Sequence, residues 1–211
     1  MKKWVIALVA VGAVLPFCFG ADITDYSHLT GHPEDHRDYW DLSYPGRKKV
    51  CRAAAAANPS LVKQLNEAAV TCVSRLQTEL APVVKSHASL SDLENIKLWS
   101  PEPSEPYVLL CKLKYFRNTH MVEIPSGGMS EPNKDGIILI IQIHNLLAGS
   151  GIIVHGYYLP NFAETFLVQG IELQVSYHLE LGKANKDIER PMRDIIEKQL
   201  KQFCAEAVKM K

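Results

Sequence analysis

The most restrictive feature of this sequence is a strict alternation of apolar and polar residues near its C-terminal end. From Ile171 to Leu181, every odd-numbered residue is aliphatic or tyrosine, and every even-numbered residue is polar. Because successive side chains of a strand point to opposite faces of a sheet, this segment predicts a strand with one dry and one wet face. The dry face has to be covered, so other parts of the chain must supply elements that pack on it.

A long amphipathic helix is predicted upstream. Asn58 and Pro59 have the form of an N-cap followed by a proline at the first helical position. The apolar residues that follow recur every three or four positions as far as Ala81, and we expect the helix to end there, before Pro82. The alanines at 53–57 fit either an extra turn of this helix or a separate short helix.

The remaining periodic segments complete the predicted architecture. Strands are predicted at 107–115, 137–143 and 152–159, and a short helix at 92–97. From Asp187 the helical period returns and continues to the C-terminal end. We therefore predict an α+β fold, in which an antiparallel sheet of about four strands packs against a long N-terminal helix and a C-terminal amphipathic helix.

The N-terminal end predicts secretion. Lys2 and Lys3 form a basic region, an apolar core follows at 4–15, and Gly20 ends a cleavage site of small residues. We expect residues 1–20 to be a cleaved signal peptide and the mature chain to be extracellular. The apolar core is shorter than the roughly twenty residues that a membrane span needs.

An acidic segment separates the signal peptide from the first helix. Residues 21–49 have no sustained apolar period, so we expect an irregular, loosely attached arm, followed by a single α+β domain at 50–211. Tyr39, Trp40 and Tyr44 in this arm are candidates for an exposed patch that contacts a protein partner.

The charge balance argues against polyanionic partners. The chain has 23 basic and 23 acidic residues, and removal of Lys2 and Lys3 leaves a net charge of about −2. We therefore expect neither nucleic acid nor an anionic membrane as a partner.

Four of the five cysteines remain after the predicted cleavage. An even number in an oxidising compartment predicts two disulfides, which three pairings would satisfy. The positions of the cysteines on the predicted elements favour Cys72 with Cys111 and Cys51 with Cys204. No CxxC or Cys/His spacing predicts a metal site.

Motifs for catalysis are lacking in the sequence. There is no GxSxG elbow, no HExxH and no glycine-rich phosphate loop, so we predict no catalytic residue and no cofactor, and enzymatic activity is unsupported. His28, His32 and His36 would share one face of a helix and hold a transition metal there, but Gly31 and Pro33 argue against a helix. A solvated acidic arm is the favoured interpretation.

The run Gly46-Arg47-Lys48-Lys49 resembles the processing sites of neuropeptide precursors. The resemblance implies that a convertase cuts at Arg47–Lys49 and that the exposed glycine becomes a C-terminal amide. One alternative function is therefore a precursor that releases an amidated peptide ending at Pro45.

The predicted order of elements resembles, in architecture, the tubular lipid-binding group that includes juvenile-hormone-binding proteins and mite group 7 allergens. The resemblance implies an apolar groove between helices and sheet, so our first expectation is a secreted, disulfide-stabilised carrier of a small apolar ligand. The alternative is a secreted effector or inhibitor that binds an extracellular protein. The candidate ligand-contacting residues, all of which are also candidate core residues, are Leu109, Ile141, Val154, Leu173, Val175, Tyr177, Ile196 and Leu200.

Overall fold

The computed structural model of the chain describes residues 25–86, 97–99, 110–117, 137–148 and 160–211. The predicted signal peptide and the predicted strand at 152–159 lie outside the described residues. Within the described ranges, no helix is long and apolar enough to cross a membrane.

The described residues form four α-helices and five strands. The helices are α1 (Arg37–Trp40), α2 (Tyr44–Ala57), α3 (Pro59–Lys85) and α4 (Glu189–Ala207). The strands are β1 (Lys97–Trp99), β2 (Leu110–Arg117), β3 (Ile137–Asn145), β4 (Phe162–Val168) and β5 (Ile171–Leu181). Short 3-10 helices lie at Pro33–Asp35, Leu146–Ala148 and Lys183–Ile188.

The strands pair in the order β1-β2-β3-β5-β4, and every pairing is antiparallel. The predicted α+β class is confirmed, but the predicted count of about four strands is wrong, because five are described. β4 was not predicted. The alternation of apolar and polar residues in β4 is irregular, because the polar Glu164 lies on the helix-facing side and the apolar Leu167 is buried on the other side.

The helix starts follow from local sequence. The Asn58 side chain accepts a hydrogen bond from the Leu61 N–H at 3.1 Å, so the predicted N-cap is confirmed and the alanines end a separate helix, α2. The predicted end at Ala81 is wrong, because α3 continues through Pro82 to Lys85. Proline removes one backbone hydrogen bond there, while Val84, two residues further on, is buried in the core.

The main core lies between the odd-numbered face of β5 and the apolar faces of α3 and α4. Leu173, Val175, Leu76 and Leu200 are among its fully buried residues. A polar contact also joins the two helices, because the buried Gln199 side-chain amide donates to the Glu79 carboxylate at 2.6 Å.

The predicted irregular arm at 21–49 contains regular structure in its described part. Helix α2 begins at Tyr44, ahead of the predicted domain boundary at residue 50. A second apolar cluster, formed by Leu29, Tyr39, Val50 and Leu167, packs this segment on the far face of the sheet. Local periodicity could not predict that packing, because Leu167 comes from β4.

Candidate functional site

The predicted ligand-contacting residues are core residues where the structure describes them. Leu109 and Val154 lie outside the described residues. The other six belong to the main core and are at most 1 % exposed: Ile141, Leu173, Val175, Tyr177, Ile196 and Leu200. None of these six lines a pocket that is formed by β4, α4 and the chain near Gly31.

That pocket lies at the free edge of the sheet and has a volume of about 330 Å³. We call it the edge pocket. It is partly open to solvent, and it lies between β4, α4 and the chain at Gly31. Its polar lining is Gly31, His32, Glu164 and Lys201, and the rest of the lining is Phe166, Cys204, Ala205 and Val208.

A tight hairpin positions β4. Gln169 and Gly170 connect β4 to β5 with φ values of 48° and 81°, as a type I′ turn requires. A Cβ atom on Gly170 would lie 3.0 Å from the Cβ of Tyr26 and 3.1 Å from that of Ala54. A side chain at residue 170 would therefore disturb both the turn and the packing of α2 on it.

The outer edge of β4 is closed at the hairpin end by the chain itself. The Gly31 N–H donates to the Leu167 carbonyl at 3.0 Å, and the Leu167 N–H donates to the Gly31 carbonyl at 2.7 Å. The backbone polar groups of Leu167 thus point away from β5. We call this pair, with the segment 29–31 that carries it, the closed end of β4.

Beyond that pair, no part of the chain that the structure describes covers the outer edge. Because backbone direction alternates along a strand, Ala163 and Thr165 also direct their N–H and C=O groups away from β5. In the register set by Gly31, residue 33 would lie opposite Thr165, but Pro33 has no N–H and the chain turns into a 3-10 helix. No described residue bonds these outward groups, and we call Ala163–Thr165 the open end.

The edge pocket carries one acidic and one basic side chain, which differ in their partners. The Lys201 ammonium lies 3.3 Å from the Glu197 carboxylate, which also accepts a hydrogen bond from the Tyr177 hydroxyl at 2.8 Å. Glu164 forms no ion pair with any cation of the described segments. Among the described residues, Glu164 is therefore the pocket carboxylate whose charge no cation compensates.

The pocket thiol is poorly suited to nucleophilic chemistry. Burial, together with the neighbouring Glu164 carboxylate, raises the pKa of Cys204 above its ordinary value. The thiolate is the reactive form, so Cys204 is a weak nucleophile at neutral pH.

A buried polar cluster anchors the closed end. The Tyr39 hydroxyl donates a hydrogen bond to the Glu172 carboxylate, and Arg47 lies 3.3 Å from the same carboxylate. Gln174 also donates to Glu172, at 3.3 Å. The guanidinium of Arg47 lies 4.9 Å above the Trp40 ring. This cluster joins α1 and α2 to β5, and sequence patterns did not predict it.

The exposed aromatic patch is only partly as predicted. The predicted exposure of Tyr39 is wrong, because its side chain is fully buried. Its hydroxyl donates to Glu172 on β5. Trp40 and Tyr44 are exposed by 49 % and 42 %.

The three predicted histidines do not share a helix face. His28 and His36 contact each other edge to face, with ring centroids 6.3 Å apart, and His32 lines the edge pocket. No group of three metal-ligating side chains occurs among the residues that the structure describes.

Cys51 and Cys204 are buried free thiols in this structure, and Cys72 is buried with its Sγ 3.6 Å from the Gln199 carbonyl oxygen. The favoured pairing of Cys51 with Cys204 is therefore not formed. The side chain of Cys111 lies outside the described part, so a disulfide to Cys72 stays a prediction.

Comparisons with protein-family models, with curated proteins and with solved structures found no match to this chain.

Proposed function

We propose that this chain is a secreted binding protein that takes an extended segment of an extracellular protein as an added strand at the open end of β4. The observation that carries the proposal is the outward direction of the Ala163 and Thr165 backbone groups beside the edge pocket. In strand addition, backbone hydrogen bonds supply affinity, and pockets for alternate side chains supply specificity.

The pairing at the closed end supports this mode of binding. Gly31 already bonds Leu167 as an antiparallel neighbour, and His32 follows it into the edge pocket. A partner strand that continues from this point would use the same edge and the same hydrogen-bond pattern. Exposed edges of this kind are generally shielded in proteins that have no use for them.

The carrier function is the second candidate, and the volume of the edge pocket favours it. About 330 Å³ is at the lower limit of the 300–1,000 Å³ that is typical of small-molecule sites. However, the pocket is partly open, and the six described residues predicted to contact an apolar ligand pack against one another instead.

Peptide release ranks third. The basic run at 46–49 lies inside α2, and Arg47 is held by Glu172. Both features oppose cleavage of the folded chain, since proteolysis concentrates at exposed loop tips.

The test uses a phage-displayed library of random linear decapeptides, panned on the mature protein. Synthetic versions of the enriched peptides are then added to the protein while amide hydrogen exchange is followed by NMR. We expect the amides of Ala163 and Thr165 to exchange rapidly in the free protein and to become protected in the complex. The amides of Glu164 and Phe166 point toward β5 and serve as internal controls that are protected in both states.

Enriched peptides that leave the Ala163 and Thr165 amides unprotected would contradict strand addition, as would a selection that enriches no peptide. Native mass spectrometry of the secreted protein addresses the carrier: a co-purifying small molecule that blocks the edge pocket would favour that candidate instead.

A further inference from the structure

We infer that the partner's segment carries a lysine or arginine opposite Glu164, with its side chain in the edge pocket. This inference rests on the proposed function and names the chemistry that the site selects. It follows from the strand register, from the charge at Glu164 and from the apolar lining of the pocket.

The register decides which side chain of an added strand enters the pocket. Gly31 lies opposite Leu167, so His32 comes next to Phe166, and the structure places His32 in the pocket lining. Side chains opposite one another on antiparallel strands share a face of the sheet. The residue of a partner strand opposite Glu164 is two positions further along, and it faces the same helix-side cavity.

The charge of the pocket favours a cation at that position. Glu164 has no cationic partner among the described residues, and the neighbouring Cys204 thiol is neutral. Lys201 also lines the pocket, but its ammonium is held by Glu197. A partner ammonium or guanidinium would therefore meet a carboxylate that has no competing ion pair.

The walls of the pocket suit the stem of such a side chain. Phe166, Ala205 and Val208 provide an apolar surface behind the Glu164 carboxylate. Lysine and arginine bury their methylene chains against apolar surface while the charged group stays with a polar partner. A shorter cation would leave this surface uncovered, and an apolar side chain would leave Glu164 without a counter-ion.

The experiment compares two peptides on three proteins. The decapeptide library is panned on wild type, and a selected peptide is synthesised with its basic residue and with methionine at that position. Both are titrated by fluorescence anisotropy against wild type, Glu164→Gln and Glu180→Gln. Glu180→Gln removes the same charge from β5, where Glu180 is paired with His178 and lies on the opposite face of the sheet.

We expect the methionine peptide to bind wild type and Glu180→Gln about ten-fold more weakly than the basic peptide, because a charge-assisted hydrogen bond is lost. On Glu164→Gln the two peptides should differ by less than about two-fold.

Selected peptides without a basic residue opposite Glu164, or an equal preference on all three proteins, would overturn the inference. If such peptides still protect the Ala163 and Thr165 amides, the proposed function stands, and if no peptide binds, the proposed function itself fails. Should Glu164→Gln fold poorly, equal binding of the two peptides by wild type would still overturn the inference.

Discussion

The two ends of the outer edge of β4 are built from the same strand but are completed differently. At the closed end, Leu167 pairs with Gly31, and the neighbouring segment is fixed by the buried contact between Tyr39 and Glu172. At the open end, Ala163 and Thr165 have no backbone partner in the described chain. The pairing ends at Pro33, because proline has no N–H to donate the next hydrogen bond to β4. Within the described chain, the outer edge is therefore covered only where the Tyr39–Glu172 contact anchors the covering segment.

Loss of the Glu172 side chain should lower the stability of the fold the most, because this carboxylate anchors the closed end. Glu172→Ala removes the acceptor of the Tyr39 hydroxyl and the counter-ion of Arg47, whose side chain is only 20 % exposed. We expect a loss of about 3 kcal/mol in the free energy of unfolding, measured by urea denaturation, because buried polar groups are left without partners. Limited proteolysis should also become faster in the segment 28–43.

The matched control is Glu180→Ala. This carboxylate lies on the same face of β5, but it is 32 % exposed and lies 3.5 Å from His178. We expect a loss below about 1 kcal/mol. Equal losses for the two variants would mean that the Glu172 cluster does not fix the closed end.

A smaller effect is expected when the open end is blocked. Ala163→Pro removes an N–H that points away from β5, so the internal pairing with β5 keeps its hydrogen bonds. We expect a selected peptide to bind at least about ten-fold more weakly, because one backbone hydrogen bond is lost and the ring obstructs the incoming strand. Fluorescence anisotropy measures the affinity.

Ala163→Ser retains the N–H and should bind the peptide as wild type does. Thermal melting of both variants checks that the sheet is intact. Undiminished binding by a folded Ala163→Pro protein would show that the peptide does not use the open end.

Parts of this comparison could be predicted from the sequence, and parts could not. The bounds of β5 were predicted, since its alternation directly reflects one buried and one polar face. β4 was missed because Glu164 faces the helix side and Leu167 is covered by residues from far upstream. The anchor was missed for a similar reason: Tyr39 and Glu172 are distant in sequence, and neither lies in a motif. The edge pocket is formed by β4, α4 and the chain at Gly31. These segments are distant in sequence, so no local pattern predicts that they come together.

A weaker test of the closed end is how the contribution of Tyr39 to stability changes with pH. Burial, together with the adjacent Glu172 carboxylate, raises the pKa of Tyr39 above its ordinary value of about 10. The folded protein then favours the neutral hydroxyl, so the contribution of Tyr39 is fully present below pH 10. It decreases above that pH, because the unfolded chain ionises while the folded chain does not. We expect the difference in unfolding free energy between wild type and Tyr39→Phe to shrink by about 1 kcal/mol between pH 8 and pH 11.

Tyr44→Phe, at an exposed position, should differ little from wild type at either pH. If the Tyr39→Phe difference is the same at both pH values, the hydroxyl is not held in a buried site, and the closed end would be as weakly fixed as the open end.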